Sequence, residues 1–332
     1  MPALSSKQIV AALEDAFTDA GASAVLIPSA SPHPRKFYVV AGESNFPVWI
    51  YVWTLTHGGG AARPTDEYRI QLTSVAAPLP QNPDGPTLLL GYEPSLRCFA
   101  GFDLCKHHTF TQGSPSIQIN INTLRAAVRD GFAFSRKGNE EVAIGFRPDN
   151  ILSYASNVER LHESGSDARL FPVLRKVTEF EDLTDAETES IPPERKRVVA
   201  EVTRLARDSA FRRKVTVAYD RMCAVTGLQL RLIEAAHILP VGVGGSTDEV
   251  SNGICLSPTY HTAYDRGLIY LTDDRRMVIN GKKKRELLRL GLARGLPAFE
   301  ATLGREIFLP SDKRQWPNVE LIRQANLVRK VI

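Results

Sequence analysis

Residues 5–20 set Ile9, Val10, Leu13 and Phe17 at helical spacing behind Ser5 and Ser6, either of which suits a helix start. The pattern then becomes strand-like. Residues 37–40 are short and β-branched, and residues 48–56 give the strongest strand signal in the chain. Their continuous apolar character predicts a central strand covered on both faces, broken by Gly58, Gly59 and Gly60. Residues 68–72 alternate cleanly, residues 87–92 and 98–103 read as a hairpin, and residues 116–120 as a further strand. A helix is expected over 121–130, a short strand over 142–146, and a second helix up to residue 162. The result is an α+β fold class, with a first domain of mixed helices and strands over residues 1–162.

Residues 163–194 hold nine acidic residues against three basic ones and finish at Ile191, Pro192, Pro193 and Glu194. A like-charged, proline-terminated stretch predicts an extended linker. A second domain is expected over 195–332, opening on a helix at about 194–209 with Val198, Val199, Val202 and Leu205 on one face.

Charge sharpens this division. The chain carries a net +4, yet residues 191–332 hold 25 Lys and Arg against 15 Asp and Glu, and residues 1–190 hold 16 against 22. The basic second part suits a phosphate-backbone partner. The balance of 43% hydrophobic and 23% charged residues is that of a globular protein. No apolar run reaches the roughly 18 residues of a membrane span, and the start of the chain lacks a signal-peptide layout. A cytoplasmic protein without a membrane partner is the expectation. Cys98, Cys105, Cys223 and Cys255 are too few and too scattered for a disulfide framework, and none form a CxxC pair. Cys223 and Cys255 read as small core residues.

The candidate chemistry begins at Glu234. His237 stands three residues before Pro240 and a Gly-rich loop; Asn252 follows fifteen positions later and His261 nine after that. Residues 232–239 read as a strand, and Gly242, Gly244 and Gly245 permit tight turning. His261 and Asp265 are four apart, so on a helix they share a face. A neutral imidazole with a carboxylate suits Mg²⁺, Mn²⁺ or a transition metal.

This order and spacing resemble the HNH, or ββα-metal, endonucleases of the type found at the C-termini of prokaryotic restriction enzymes. The resemblance covers about residues 205–330, including Tyr264, Asp265, Arg266 and Gly267 and a tail with Trp316 and Pro317. It implies that His237 is the general base, that Asn252 fixes its ring, and that His261 and Asp265 hold a divalent metal, Mg²⁺ or Mn²⁺ first. One position departs from the pattern. Most such sites carry Asp or His directly before the base, where this chain has Ala236. Glu234, two residues earlier on the same strand face, is the candidate to supply the missing carboxylate. Lys282, Lys283, Lys284 and Arg285, after the Asn280-Gly281 turn signal, and Arg266 are candidate DNA contacts.

HNH domains grip phosphates, and phosphate contacts carry no base information. The first domain is therefore expected to be the reader of double-stranded DNA. Trp49, Tyr51, Trp53, Tyr92, Phe99 and Phe102 could line a pocket for an extracted base, although their alternation on strands favours a core. Cys98, Cys105, His107 and His108 offer zinc donors at an unfamiliar spacing. Asp103 with Gln118 and Asn120 faintly matches a second nuclease pattern that lacks its Lys. The expected function is a DNA endonuclease, of the restriction type, with a homodimer left open. Two alternatives stand beside it: a phage-defence nuclease effector whose first domain senses a ligand or partner, and a non-catalytic DNA-binding protein whose site decayed at Ala236.

Overall fold

A computed structural model describes residues 3–41, 44–57, 64–110, 115–136, 141–167, 170–178, 184, 189 and 191–331. The chain divides into two compact units, Met1–Ser209 and Ala210–Ile332.

The first unit opens with helix α1 (Ser6–Asp19). Ser5 caps it: its side chain accepts from the Gln8 backbone N–H, and Gln8 returns a side-chain bond to the Ser5 N–H. The helix buries Ile9, Leu13, Ala16 and Phe17. It is followed by β1 (Ser23–Ile27), β2 (Arg35–Ala41), β3 (Ser44–Thr54), β4 (Thr56–His57), β5 (Glu67–Gln71), β6 (Thr87–Glu93) and β7 (Cys98–Phe102). Then come a short helix α2 (Leu104–His107), β8 (Ser116–Asn120), α3 (Ile121–Asp130), β9 (Phe132–Arg136), β10 (Val142–Phe146), α4 (Ile151–Ser166) and α5 (Phe171–Thr178). Seven strands form one sheet in the order β1-β2-β3-β6-β7-β10-β9, and β4-β5-β8 form a second. All pairs in the large sheet are antiparallel except β3 with β6.

The unbroken apolar run of β3 has the expected cause. Val48, Ile50 and Val52 face a core that also holds Leu13 and Phe17 of α1 and Tyr154 of α4. Tyr51 and Trp53 face the opposite core, with Ile70, Ile117 and Leu124. A strand sealed on both sides has no polar face to reveal its period. The six aromatic residues weighed as a base pocket divide in the same way. Tyr92 and Phe99 lie in one core and Tyr51, Trp53 and Phe102 in the other, on opposite faces of the sheet. Trp49 is half-buried beneath the Lys36 ammonium, 4.0 Å from its ring centre.

Two expectations need revision. The linker reading of 163–194 fails in its first half, because α4 runs to Ser166 and α5 buries Val173, Leu174 and Val177 in the first core. The acidic excess masked apolar positions three and four apart, and burying such a stripe outweighs surface repulsion. Most of residues 179–190 lie outside the described residues, as do Gly58, Gly59 and Gly60. Strands β1 and β9 were not foreseen. Each is five residues long and lies at an end of the large sheet.

Gly101 on β7 shows how closely this unit is packed. Any Cβ there would collide with the phenol of Tyr154. That phenol bonds His162 Nε2 at 2.8 Å, while His162 Nδ1 lies 3.0 Å from the Val142 carbonyl. Burial pushes the His162 imidazole down to about 4, against the opposing pull of Asp103. His33, stacked on Trp53 at 4.3 Å, is likewise pushed down to about 4 by burial and then by the charge of Arg35. Both rings stay neutral in the fold while an unfolded chain protonates near pH 6.5. Between about pH 6.5 and 4 the unfolded state binds more protons, so stability falls as pH drops through that window. The expected result is a lower urea midpoint at pH 5 than at pH 7, with the His162 ring proton showing no titration above pH 5 by NMR. A His162 resonance that titrates near 6.5 would refute the assignment.

The second unit takes up the end of a long helix, α6 (Pro193–Ala218), which runs nine residues beyond the expected end at 209. Strands β11 (Glu234–His237) and β12 (Gly253–Leu256) pair antiparallel, and α7 (Pro258–Asp265) follows, giving a ββα unit. A small hairpin, β13 (Ile269–Leu271) with β14 (Met277–Ile279), leads to α8 (Gly281–Arg289), α9 (Leu296–Glu300) and α10 (Val319–Val328). Phe211, Val215, Cys223, Cys255, Ile254 and Tyr264 share one core, so both cysteines pack as small apolar groups.

Candidate active site

The site grows from the β11–β12 pair. His237 ends β11 and stands opposite Gly253 in register. A Cβ at Gly253 would clash with Val215 and Phe211 of α6, so the missing side chain lets that helix close on the strands. Phe211 then stacks flat on the His237 ring, 3.6 Å between centroids and 10° from parallel. Asp248 Oδ1 lies 3.1 Å from His237 Nε2. No group of a described residue bonds His237 Nδ1. The ring is thus gripped at one face and one nitrogen.

Asn252 does something other than expected. Its fully buried amide does not reach the His237 ring. Its Oδ1 accepts from the Leu239 N–H at 2.8 Å, and its Nδ2 donates to the Leu239 carbonyl at 3.2 Å, to Ser246 Oγ at 3.2 Å and to the Thr247 carbonyl at 2.9 Å. The backbone carbonyl of Asn252 also accepts from the Ile238 N–H at 2.8 Å. Asn252 therefore ties the loop to the strand end, because a Gly-rich loop leaves backbone groups that need partners. Its effect on His237 passes through the backbone.

On α7, His261 and Asp265 face one another as the spacing implied, with His261 Nε2 3.2 Å from Asp265 Oδ2. Glu234 lies on the other ring nitrogen, 2.6 Å from Nδ1. Hydrogen bonds donated to Asp265 and then to Glu234 push the His261 imidazole up to about 9 against the cost of burial. Burial opposes the ionisation of Asp265, but the bonds from His261 and Arg329 outweigh it and hold its pKa below the ordinary range. Arg329 packs over the Tyr264 ring at 4.4 Å, reaches Asp265 at 3.7 Å, and donates to the carbonyls of Ile238 and His237.

These donors fit a divalent ion only in part. An imidazole and a carboxylate at the His261 Nε2 side are of the right type. Glu234 and Asp265 lie on opposite ring nitrogens of His261, so the imidazole can share an ion with one of these carboxylates but not with both. Among the described residues no group of three or more His, Cys, Asp or Glu is arranged to hold an ion. Ala236, at the position where a ligand was missed, is 1% exposed and part of the core.

Residues 223–272, which contain His237, Asn252, His261 and Asp265, match the HNH endonuclease family. The C-terminal unit carries an HNH endonuclease domain, and the protein is a nuclease. Residues 46–155 match a second family, described as Methylase-associated X1. One solved structure, a "Modification dependent TagI restriction endonuclease", aligns over 83% of this chain and 80% of its own at 14% identity, with a TM-score of 0.28. A likeness that weak carries no argument. No curated protein matches the chain.

In the HNH domain the basic cluster sits on α8, not on a turn before it. Asn280 caps the helix through the N–H groups of Lys282 and Lys283. Lys283 pairs with Glu286 at 2.8 Å and Lys284 with Glu300 at 2.6 Å. Lys282 and Arg285 are exposed, as is Arg266 just beyond α7. The zinc and second-nuclease readings of the first unit find no support in placement. Cys98 is sealed in the core with its thiol pushed up to about 12 by burial, and His107 bonds the buried Glu141 at 2.6 Å. Asp103 caps α2, while Asn120 caps α3 and bonds Asp66.

Sequence reasoning missed Asp248, Phe211, Gly253 and Arg329. An acid four residues before Asn252 was a visible signal for Asp248. The other three are far from His237 in sequence, and only packing brings them to it.

Proposed function

We infer that this chain cuts double-stranded DNA as a restriction-type endonuclease, with His237 as general base and the first unit as the reader. The observation behind this reading is the ββα unit within residues 223–272. It presents His237 from a strand and His261 with Asp265 from the following helix.

His237 accepts the proton of the attacking water. His261 Nε2 and Asp265 would hold a divalent ion, Mg²⁺ or Mn²⁺, with Glu234 fixing the His261 ring from Nδ1. Such outer partners set the tautomer and orientation of a ligating imidazole. When bound, the ion supplies Lewis-acid stabilisation of charge on the phosphate. Arg329 holds the strand end that carries His237 against α7.

A nuclease that grips phosphates needs its selectivity from elsewhere. The first unit answers to a family whose description names methylases, which supports a role in telling modified from unmodified DNA. The test is to digest methylated and unmethylated plasmid with the full-length protein in Mg²⁺ or Mn²⁺ and to map the ends. Metal-dependent cutting that differs between the two substrates is expected. Absence of any cleavage would leave the DNA-binding alternative as the better account.

Lys282 and Arg285 are exposed on α8, and among the described residues no carboxylate pairs with either. Replacing both with Ala is expected to weaken DNA binding evenly across sequences and to lower the slope of log affinity against log salt by about one per residue. Binding isotherms at several salt concentrations would show it. An unchanged slope would place the phosphate contacts elsewhere.

A further inference from the structure

We propose that Asp248 is a positioning residue for His237: its carboxylate holds the ring in the tautomer protonated at Nε2, so that Nδ1 is the atom that takes the proton from water. The inference rests on the nuclease reading above and assigns an atom and a partner within it.

An ionised carboxylate only accepts hydrogen bonds. With Asp248 Oδ1 3.1 Å from Nε2, that nitrogen must be the donor, and a neutral imidazole then carries its lone pair on Nδ1. The ring has little freedom to swap its nitrogens. Turning it over would break the Asp248 bond, and tilting it would break the 3.6 Å stack on Phe211. Phe211 is itself 2% exposed in the core, and it reaches the ring because Gly253 leaves the space open.

The position of Asp248 is set by the loop. The carbonyl of Thr247, the residue before it, accepts from Asn252 Nδ2 at 2.9 Å, and Ser246 Oγ lies on the same amide. Asn252 thus places the carboxylate that places the base. Asp248 is 42% exposed, so solvent screens its charge. Its action is direction and tautomer, which screening does not remove. A base with a fixed tautomer and a third group to orient it is a recurring arrangement in proton-transfer sites.

The experiment uses the full-length protein and two variants, Asp248→Ala and Asp248→Glu. Plasmid cleavage under saturating Mn²⁺ gives kcat and KM. Asp248→Ala is expected to lower kcat roughly 10–100-fold, the usual cost of losing an orienting partner, with KM within about twofold. Asp248→Glu should recover part of the loss, since the carboxylate can still accept. NMR of ¹⁵N-labelled histidine, run without DNA, should show His237 protonated at Nε2 in the wild type and a mixture of tautomers in Asp248→Ala. Mn²⁺ affinity by calorimetry should be the same in all three.

Wild-type cutting with an unchanged kcat in Asp248→Ala would overturn the proposal. So would a wild-type His237 protonated at Nδ1, or a loss of Mn²⁺ affinity in Asp248→Ala, which would make Asp248 a metal ligand. If the wild type cuts no DNA, the nuclease reading fails, and the NMR result still decides the tautomer.

Discussion

His237→Ala is expected to lower DNA cleavage by roughly 10²–10⁴-fold, the range general-base catalysis contributes, while DNA binding persists. Among the described residues no other base stands ready at that position. Glu234 and Asp265 are both engaged with His261, and Asp248 loses its partner when the ring is removed. Binding should survive because the basic residues of α8 lie outside the His237 ring's contacts. The loss of the ring also uncovers one face of Phe211, so a modest drop in melting temperature is expected. Gel-shift titration beside cleavage kinetics separates the effects. Cutting within threefold of wild type would remove His237 from the role of base.

Asn252→Ala should have the largest effect on stability of any change in the site. The amide is fully buried and makes four side-chain bonds to Leu239, Ser246 and Thr247. Truncation strands the buried Leu239 N–H, at a cost of about 1–3 kcal/mol, and removes a donor from the carbonyl of Thr247, an exposed residue. With the lost loop tether, a total of about 2–4 kcal/mol follows. Activity should fall with it, because the released loop carries Asp248. Asn252→Asp keeps the acceptor for Leu239 but loses both donors and buries a charge, so it should fare little better. Thermal unfolding of the full chain measures this, and a melting temperature within 1–2 °C of wild type would contradict the buried-staple account.

Much of the HNH domain was legible because its residues lie close together in sequence. His261 and Asp265 are one helical turn apart, and Glu234 and His237 share a four-residue strand. Their roles were less legible. Spacing could not show that Glu234 and Asp265 meet opposite nitrogens of His261, nor that Asn252 spends its amide on a loop, since both depend on side-chain direction. Phe211 and Arg329 act on His237 from 26 and 92 residues away, beyond any local pattern. In the first unit, the apolar run of β3 was readable because burial on two faces is a strong constraint. The edge strands β1 and β9 are weakly patterned because they are buried less completely and paired on one side.

Helix α6 bears on how such a chain could be recombined. Its early turns give Val199 and Val202 to one core, and its later turns give Phe211 and Val215 to the other. A chimera joined at Ser209, the compact boundary, would start its nuclease portion in mid-helix with no cap. One joined at Pro193 would take Val199 and Val202 away from the first core, which they help fill. The nuclease is therefore not a cassette that can be cut out cleanly. Exchange of first units between related chains should succeed only where the incoming unit accepts the helix that comes with the HNH domain.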